Sequence, residues 1–237
     1  MSTPPRALVT GVSSGIGAAI AQTLLAAGWT VDGVSRTRVD GWGAALNSHT
    51  FDLSDHSRAA PCLADLPTPD AVVHAAGMMH AAPVGELDAA VSARLWHLHV
   101  ATSELLANLF APRMQAGGRI VLIGSRTSRG AAGRSQYVGT KAAMVGMARS
   151  WAAELAPRGI TVNVVAPGAT ETPMLKQPGR ESSPPKLPPI GRLHPARRNR
   201  RTGEVPALAG GSGHHRSGAG RVRRCIALNR ALPGRSA

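Results

Sequence analysis

The sequence predicts an α/β domain built on a doubly wound parallel sheet, and three observations carry that prediction. Six short, strand-like apolar runs alternate with longer segments whose apolar residues recur at helical spacing. A glycine-rich turn joins the first strand to the first of those segments. Of the 237 residues, 43% are hydrophobic, with a mean hydropathy of −0.05, enough for one substantial core and typical of a single domain. Repeated strand–helix alternation implies parallel strands joined by crossover helices, which then cover the sheet.

In chain order, the strand-like runs are residues 7–11 (ALVTG), 30–36 (TVDGVSR), 49–53 (HTFDL), 70–77 (DAVVHAAG), 118–125 (GRIVLIGS) and 161–168 (TVNVVAPG). Helix-length segments span 15–28, 87–114 and 135–159, each with Gly or Pro near an end. In such sheets ligands bind beyond the carboxyl ends of the strands, where the chain turns into a helix. Chemistry is therefore expected at Gly11, Arg36, Gly77, Ser125 and Gly168.

The stretch TGVSSGIG, residues 10–17, follows the first strand and opens the first helix. Gly11, Gly15 and Gly17 permit a tight turn, close approach to a pyrophosphate and close helix packing, and the amides at the helix start face the anion. The second strand ends in VSR, which puts Arg36 where dinucleotide folds read the adenosine ribose. An acid there would bind two free hydroxyls, whereas Arg pairs with a 2′-phosphate, so the sequence favours NADP(H) over NAD(H), with Arg38 as a competing candidate.

In SQYVGTKAAMVG, Tyr137 and Lys141 are four residues apart and share one helix face. A free phenol, with pKa about 10, is a poor proton carrier near neutrality; a neighbouring ammonium stabilises the phenolate and brings it into range. Tyr137 is the only tyrosine in the chain. Ser125 ends the preceding strand on the same rim, where its hydroxyl can polarise a carbonyl oxygen.

The glycine turn, Ser125, Tyr137 and Lys141, in this order at predicted strand ends, resemble the short-chain dehydrogenase/reductase family over roughly residues 6–191. That resemblance implies a Rossmann-type domain over residues 1–191 and an enzyme that interconverts an alcohol and a carbonyl with NAD(P). Ser125, Tyr137 and Lys141 match its catalytic residues. Gly11, Ser13, Ser14, Gly15, Ile16 and Gly17 match its cofactor turn, and Asp52 and Leu53 are offered to the adenine. Ala75 and Gly77 border the cofactor, and APGATETPM matches the segment beside the nicotinamide through Pro167, Gly168, Thr170 and Thr172. A small-molecule substrate and a homo-oligomer are the family expectation.

Two departures stand out. Where the family usually has Asn-Asn-Ala-Gly, this chain has HAAG, residues 74–77, whose small residues still permit close cofactor approach. In LWHLHVAT, His99 takes the place of the family's catalytic Asn; its imidazole either serves a proton relay by holding a water or packs at a helix interface. A relative that binds the dinucleotide without catalysis is the alternative reading.

The C-terminal region changes character. From Arg192 onward, 46 residues hold 11 of the 27 basic residues and a single acid, Glu204, so most of the formal charge of +14 lies there. The family's helix with Glu-Glu-Ile-Ala and its last strand near Thr-Gly-Gln are not visible, so both are expected to be missing. Yet codons for HPARRNRRTGEVPAL, with third-position bases and Arg and Leu synonyms chosen for the purpose, can be read one base later as IRPEEIAGLVKFLL, and HHRSGAGRVRRCIALN can likewise shift to ITGQVLVVCGGASL and a stop. One extra base near the codons for Leu193 and His194 would account for both, with Asn229 onward then expected as read-through. Residues 192–237 are accordingly read as an aberrant, unstructured Arg/Gly-rich tail. A nucleic-acid-binding arm is the rival reading, disfavoured because the tail lacks stacking aromatics and any recognised module.

Cys62 and Cys225 offer neither metal spacing nor a disulfide framework, so no metal site is expected and a reducing compartment fits. No apolar run approaches membrane-spanning length, and the N-terminus lacks a basic-then-apolar leader pattern. The expectation is a cytoplasmic protein without membrane or specific nucleic-acid partners.

Overall fold

The computed structural model describes residues 3–176 and 193–196. Six parallel strands form one sheet: β1 (Arg6–Thr10), β2 (Thr30–Ser35), β3 (Leu46–Thr50), β4 (Ala71–His74), β5 (Arg119–Ile123) and β6 (Thr161–Val165). Their order across the sheet is β3-β2-β1-β4-β5-β6, so the winding reverses between β1 and β4. That reversal splays the two following loops apart and opens a crevice at the carboxyl ends of the strands.

The helices are α1 (Gly15–Ala26), α2 (His56–Ala64), α3 (Ala89–Trp96), α4 (Thr102–Phe110) and α5 (Ser135–Leu155). Strand alternation sorts the core into two layers. Leu8, Val34, Val72, Ile120, Leu122 and Val162 pack with Leu63 of α2, Phe110 of α4 and Met144 of α5. Ala7, Val9, Val31, Val73, Val121 and Ile123 pack with Ala21 and Leu24 of α1. Each fully buried large apolar side chain contributes about 1.5–3 kcal/mol, so both layers are needed to hold the strands in register.

The third strand begins at Leu46 rather than at residue 49, and its sequence, LNSHT, explains why apolar patterning misses it. Asn47 Nδ2 and His49 Nε2 donate to Asp32 Oδ1 of β2 (3.0 and 3.2 Å), while Arg6 Nη1 donates to Asp32 Oδ2 (2.7 Å). Burial opposes ionisation of Asp32, but the hydrogen bonds from His49, Arg6 and Asn47 outweigh it and hold the carboxyl below its ordinary range. A polar strand here satisfies a buried charge instead of extending the apolar core.

Helix α2 carries no such apolar signal either: Pro61 lies inside it, and its start is fixed by the Asp55 carboxylate accepting from the Arg58 amide. The long segment expected at 87–114 is a rod broken by a π-helical turn, His97–Ala101, between α3 and α4. Hydroxyls open that turn: Thr102 Oγ1 donates to His97 O (2.9 Å) and Ser103 Oγ to His99 O (2.6 Å).

Among the described residues no strand continues the main sheet beyond β6. Separately, β7 (Thr170–Glu171) pairs in parallel with β8 (His194–Pro195). The first residues of the segment expected to be unstructured are therefore placed, against Thr170 and Glu171; residues 177–192 and the rest of that segment lie outside the described part.

Candidate active site

Apart from Arg38, every site residue singled out in the sequence lines one cleft of ≈ 1120 Å³ at the carboxyl ends of the strands, from the glycine turn to Ser125, Tyr137 and Lys141. The turn has the room the sequence suggested. Gly11 adopts φ 74°, and a Cβ there would lie 2.9 Å from Ala76 Cα and N. A Cβ on Gly17 would collide with the Gly11 carbonyl, and Gly15, at φ 59°, faces Thr172. Helix α1 begins after Ser14 with no side-chain cap and no acid in its first turn, so its first amides and positive dipole end stay available to an anion. Backbone access, an uncapped helix start and small residues opposite make a cradle that fits a dinucleotide pyrophosphate.

Arg36 is exposed and lines this cleft, whereas Arg38 is tied to Asp40 by a 2.8 Å ion pair outside it. Of the two arginines that compete in the sequence for a 2′-phosphate, only Arg36 stands at the site. Asp52 and Leu53 follow β3 at the same end, where Asp52 Oδ1 accepts from the Ser54 amide (2.8 Å) and shapes the loop.

At the crevice, Thr10 and His74 join β1 to β4. His74 Nε2 faces the Leu98 carbonyl (3.0 Å), which only accepts, so the ring proton sits on Nε2 and Nδ1 accepts from the Thr10 hydroxyl (2.9 Å). The same Thr10 oxygen accepts from the amides of Ala75 and Ala76 (both 3.0 Å). Burial, followed by the nearby Lys141 charge, pushes His74 down to about 3, so it is neutral at any physiological pH.

The other end of the cleft carries the chemistry. Ser125 caps the turn after β5, its Oγ accepting from the Thr127 amide (3.2 Å) and lying 2.8 Å from Thr127 Oγ1. Helix α5 places Tyr137 and Lys141 on one face, with Lys141 Nζ 5.9 Å from the centre of the Tyr137 ring. Lys141 is buried; its Nζ donates to Ile123 O (2.8 Å) and reaches Met144 Sδ (3.6 Å). Burial lowers its pKa to about 7, so the amine exchanges its proton near neutrality.

His99 sits behind this pair. Its Nε2 accepts from the Met78 amide (3.1 Å), so Nδ1 holds the proton and donates to Thr140 Oγ1 (2.8 Å), whose hydroxyl donates on to the Tyr137 carbonyl (2.9 Å). Burial first, then Lys141 and His74, keep its pKa well below the ordinary histidine value. With both ring nitrogens committed to protein groups, neither is left to hold a water. His99 thereby links the loop at Met78 to the helix that carries Tyr137, with its ring edge-on to Tyr137 at 5.7 Å.

Comparison with known proteins decides the family. The short chain dehydrogenase family model matches residues 5–182. Protein FixR of Bradyrhizobium diazoefficiens is 34% identical over 195 residues, covering 73% of this chain and 69% of that protein. The 3-oxoacyl-[acyl-carrier-protein] reductase FabG of Salmonella typhimurium is 34% identical over 187 residues, covering 72% and 75%. The chain belongs to the short-chain dehydrogenase/reductase family. A solved short chain dehydrogenase from Burkholderia cenocepacia in complex with NADP superposes with a TM-score of 0.74 at 27% identity, over 86% of this chain and 90% of that one. As a short-chain dehydrogenase/reductase, the chain is an NAD(P)-dependent oxidoreductase acting on an alcohol or carbonyl.

Within that family frame, the two histidines make one construction. Each replaces an expected Asn, each is fully buried, and together they clamp the loop 75–78 between β4, the π turn and α5. Sequence reading singled out His99 but passed over the structural weight of Thr10, His74 and Thr140. The available signal was the pairing of Thr10 before the glycine turn with a polar residue closing β4.

Proposed function

We propose that this short-chain dehydrogenase/reductase interconverts an alcohol and a carbonyl on a small substrate and prefers NADP(H) to NAD(H). Tyr137 exchanges the proton with the substrate oxygen, Ser125 orients that oxygen by hydrogen bonding, and Lys141 tunes Tyr137 and holds the cofactor ribose. The bound nicotinamide supplies or accepts the hydride. The turn residues Gly11, Ser13, Ser14, Gly15, Ile16 and Gly17 cradle the pyrophosphate. Asp52 and Leu53 border the adenine, and Ala75, Gly77, Pro167, Gly168, Thr170 and Thr172 border the nicotinamide side.

The observation that carries this reading is the buried Lys141 ammonium, placed on the Tyr137 face of α5 between that ring and the end of β5. NADP(H) preference rests on Arg36, which faces the cleft while Arg38 is engaged elsewhere.

Two measurements test it. Y137F should lose at least about a hundredfold in turnover of a carbonyl panel, followed by cofactor absorbance, while still being stabilised against heat by NADP⁺. Stabilisation by nucleotide without turnover in the parent would instead identify a non-catalytic binder. R36D should reverse the ratio of NADPH to NADH affinity, since an acid there accepts from ribose hydroxyls and repels a 2′-phosphate; an unchanged ratio removes Arg36 from that role.

A further inference from the structure

Among the described residues, the substrate side of the cleft is lined by arginine and by no acid. The connection from β5 to α5, residues 124–134, contains Arg126, Arg129 and Arg134 and no acid. Arg126 and Arg134 both line the cleft and stand at the two ends of the stretch between Ser125 and α5, which carries Tyr137. Among the described residues Asp52 is the one acid lining the cleft, and it follows β3, four strand spacings from β5. At ~4.8 Å per spacing that is about 19 Å, beyond the screening length of about 8–10 Å at ordinary salt, so it does not neutralise this end.

Arg126 is also held in place. Its amide donates to Pro167 O (3.3 Å), and Ser125 caps the turn that Arg126 begins. It takes part in no ion pair among the described residues, and its side chain is exposed at the cleft wall next to the hydroxyl proposed to hold the substrate oxygen. A guanidinium fixed at its backbone end, one residue from the reacting centre, suits bidentate pairing with an oxyanion.

Building on the reductase reading above, we propose that the substrate carries an anionic group, a carboxylate or a phosphate, and that Arg126 pairs with it while Ser125 and Tyr137 address the carbonyl. An anion at this position fixes which end of the molecule enters, so charge supplies both affinity and orientation.

The test uses charged and neutral partners on the full chain: acetoacetate against methyl acetoacetate, and dihydroxyacetone phosphate against dihydroxyacetone. Thermal stabilisation is measured with and without saturating NADP⁺, and NADPH oxidation is followed in parallel. At least one charged member should bind about tenfold more tightly than its neutral partner at low salt, with the advantage shrinking as salt rises. The pair that discriminates identifies carboxylate or phosphate. In R126Q the ratio should fall towards one, and in R126E it should invert. Neutral partners binding as well as charged ones, or R126Q leaving the ratio unchanged, would overturn the proposal. The reductase reading fails on a different result: NADP⁺ gives no stabilisation, or no carbonyl in the set is reduced, whatever the charge preference.

Discussion

Lys141 is a lysine placed where lysines are rarely found, 5% exposed, with its amine against the end of β5. Because burial lowers its pKa from 10.5 to about 7, the unfolded chain binds the proton more tightly than the folded one across that interval. Stability attributable to this residue therefore rises as pH climbs from about 7 towards 10.5, and near neutrality the buried amine is a destabilising element retained for its chemistry. K141M should raise stability at pH 7 by about 1–2 kcal/mol, measured by denaturant unfolding, and flatten the alkaline rise, while abolishing turnover. A loss of stability in K141M would mean that the bond to Ile123 outweighs the cost of burial. The Tyr137–Lys141 pair was legible in the sequence because four-residue spacing dictates a shared helix face. The burial of the lysine was not, since it depends on β5 and Met144 closing over it.

At the scale of elements, the loop after β4 is held from three sides by side chains that sequence pattern alone does not pair: Thr10 of β1, His74 of β4, and His99 with Thr140 of α5. Helical periodicity predicts a continuous segment through 87–114, but the register shift that turns His99 inward comes from Thr102 and Ser103 bonding back to carbonyls, a local competition that apolar spacing does not report. Both histidines are held neutral, with pKa values lowered from 6.5, to about 3 for His74 and well below 6.5 for His99. A base with a depressed folded-state pKa binds protons preferentially when unfolded, so its stabilising contribution is complete above about pH 6.5 and is lost on acidification below it. Each unit of pH below 6.5 should cost about 1.4 kcal/mol for His74 until its folded-state pKa is reached, and His99 adds in the same direction. Thermal melts from pH 7 to pH 4.5 should show this steep acid loss. H74N, which keeps a side chain able to bond Thr10 and the Leu98 carbonyl, should shallow the slope by about half. A parallel pH dependence in parent and variant would assign the acid sensitivity to other groups. Asp32 adds in the same direction only at lower pH, because its carboxyl is held below 3.8 and stabilises until protonated.

For the whole molecule, the parallel sheet was readable from strand–helix alternation, while the strand order that sets its switch point was not; the cleft gathers the glycine turn, Arg36, Ser125 and Gly168 because each sits at the carboxyl end of a strand. What alternation does not reveal is how the sheet ends. Among the described residues β6 is the edge strand of the main sheet, with Asn163, Val164 and Val165 only half-buried. An open parallel edge with partly exposed valines is an arrangement that family folds avoid by adding a further strand and a covering helix. We propose that the gene after codon 193, read one base later, encodes an amphipathic helix and then a Thr-Gly-Gln strand, two elements that would cover this edge, since codons compatible with the sequence allow that reading. Deleting one base at codon 193 should therefore yield a chain more stable by about 3 kcal/mol or more, or about 6–12 °C in Tm for a domain of this size, with higher turnover. A chain stopped after Ala196, which keeps the pairing of β8 with β7, should match the parent in stability. If the repaired chain melts at the parent's temperature and turns over no faster, the shifted reading is a coincidence of codon choice, and the edge at β6 is finished by other means.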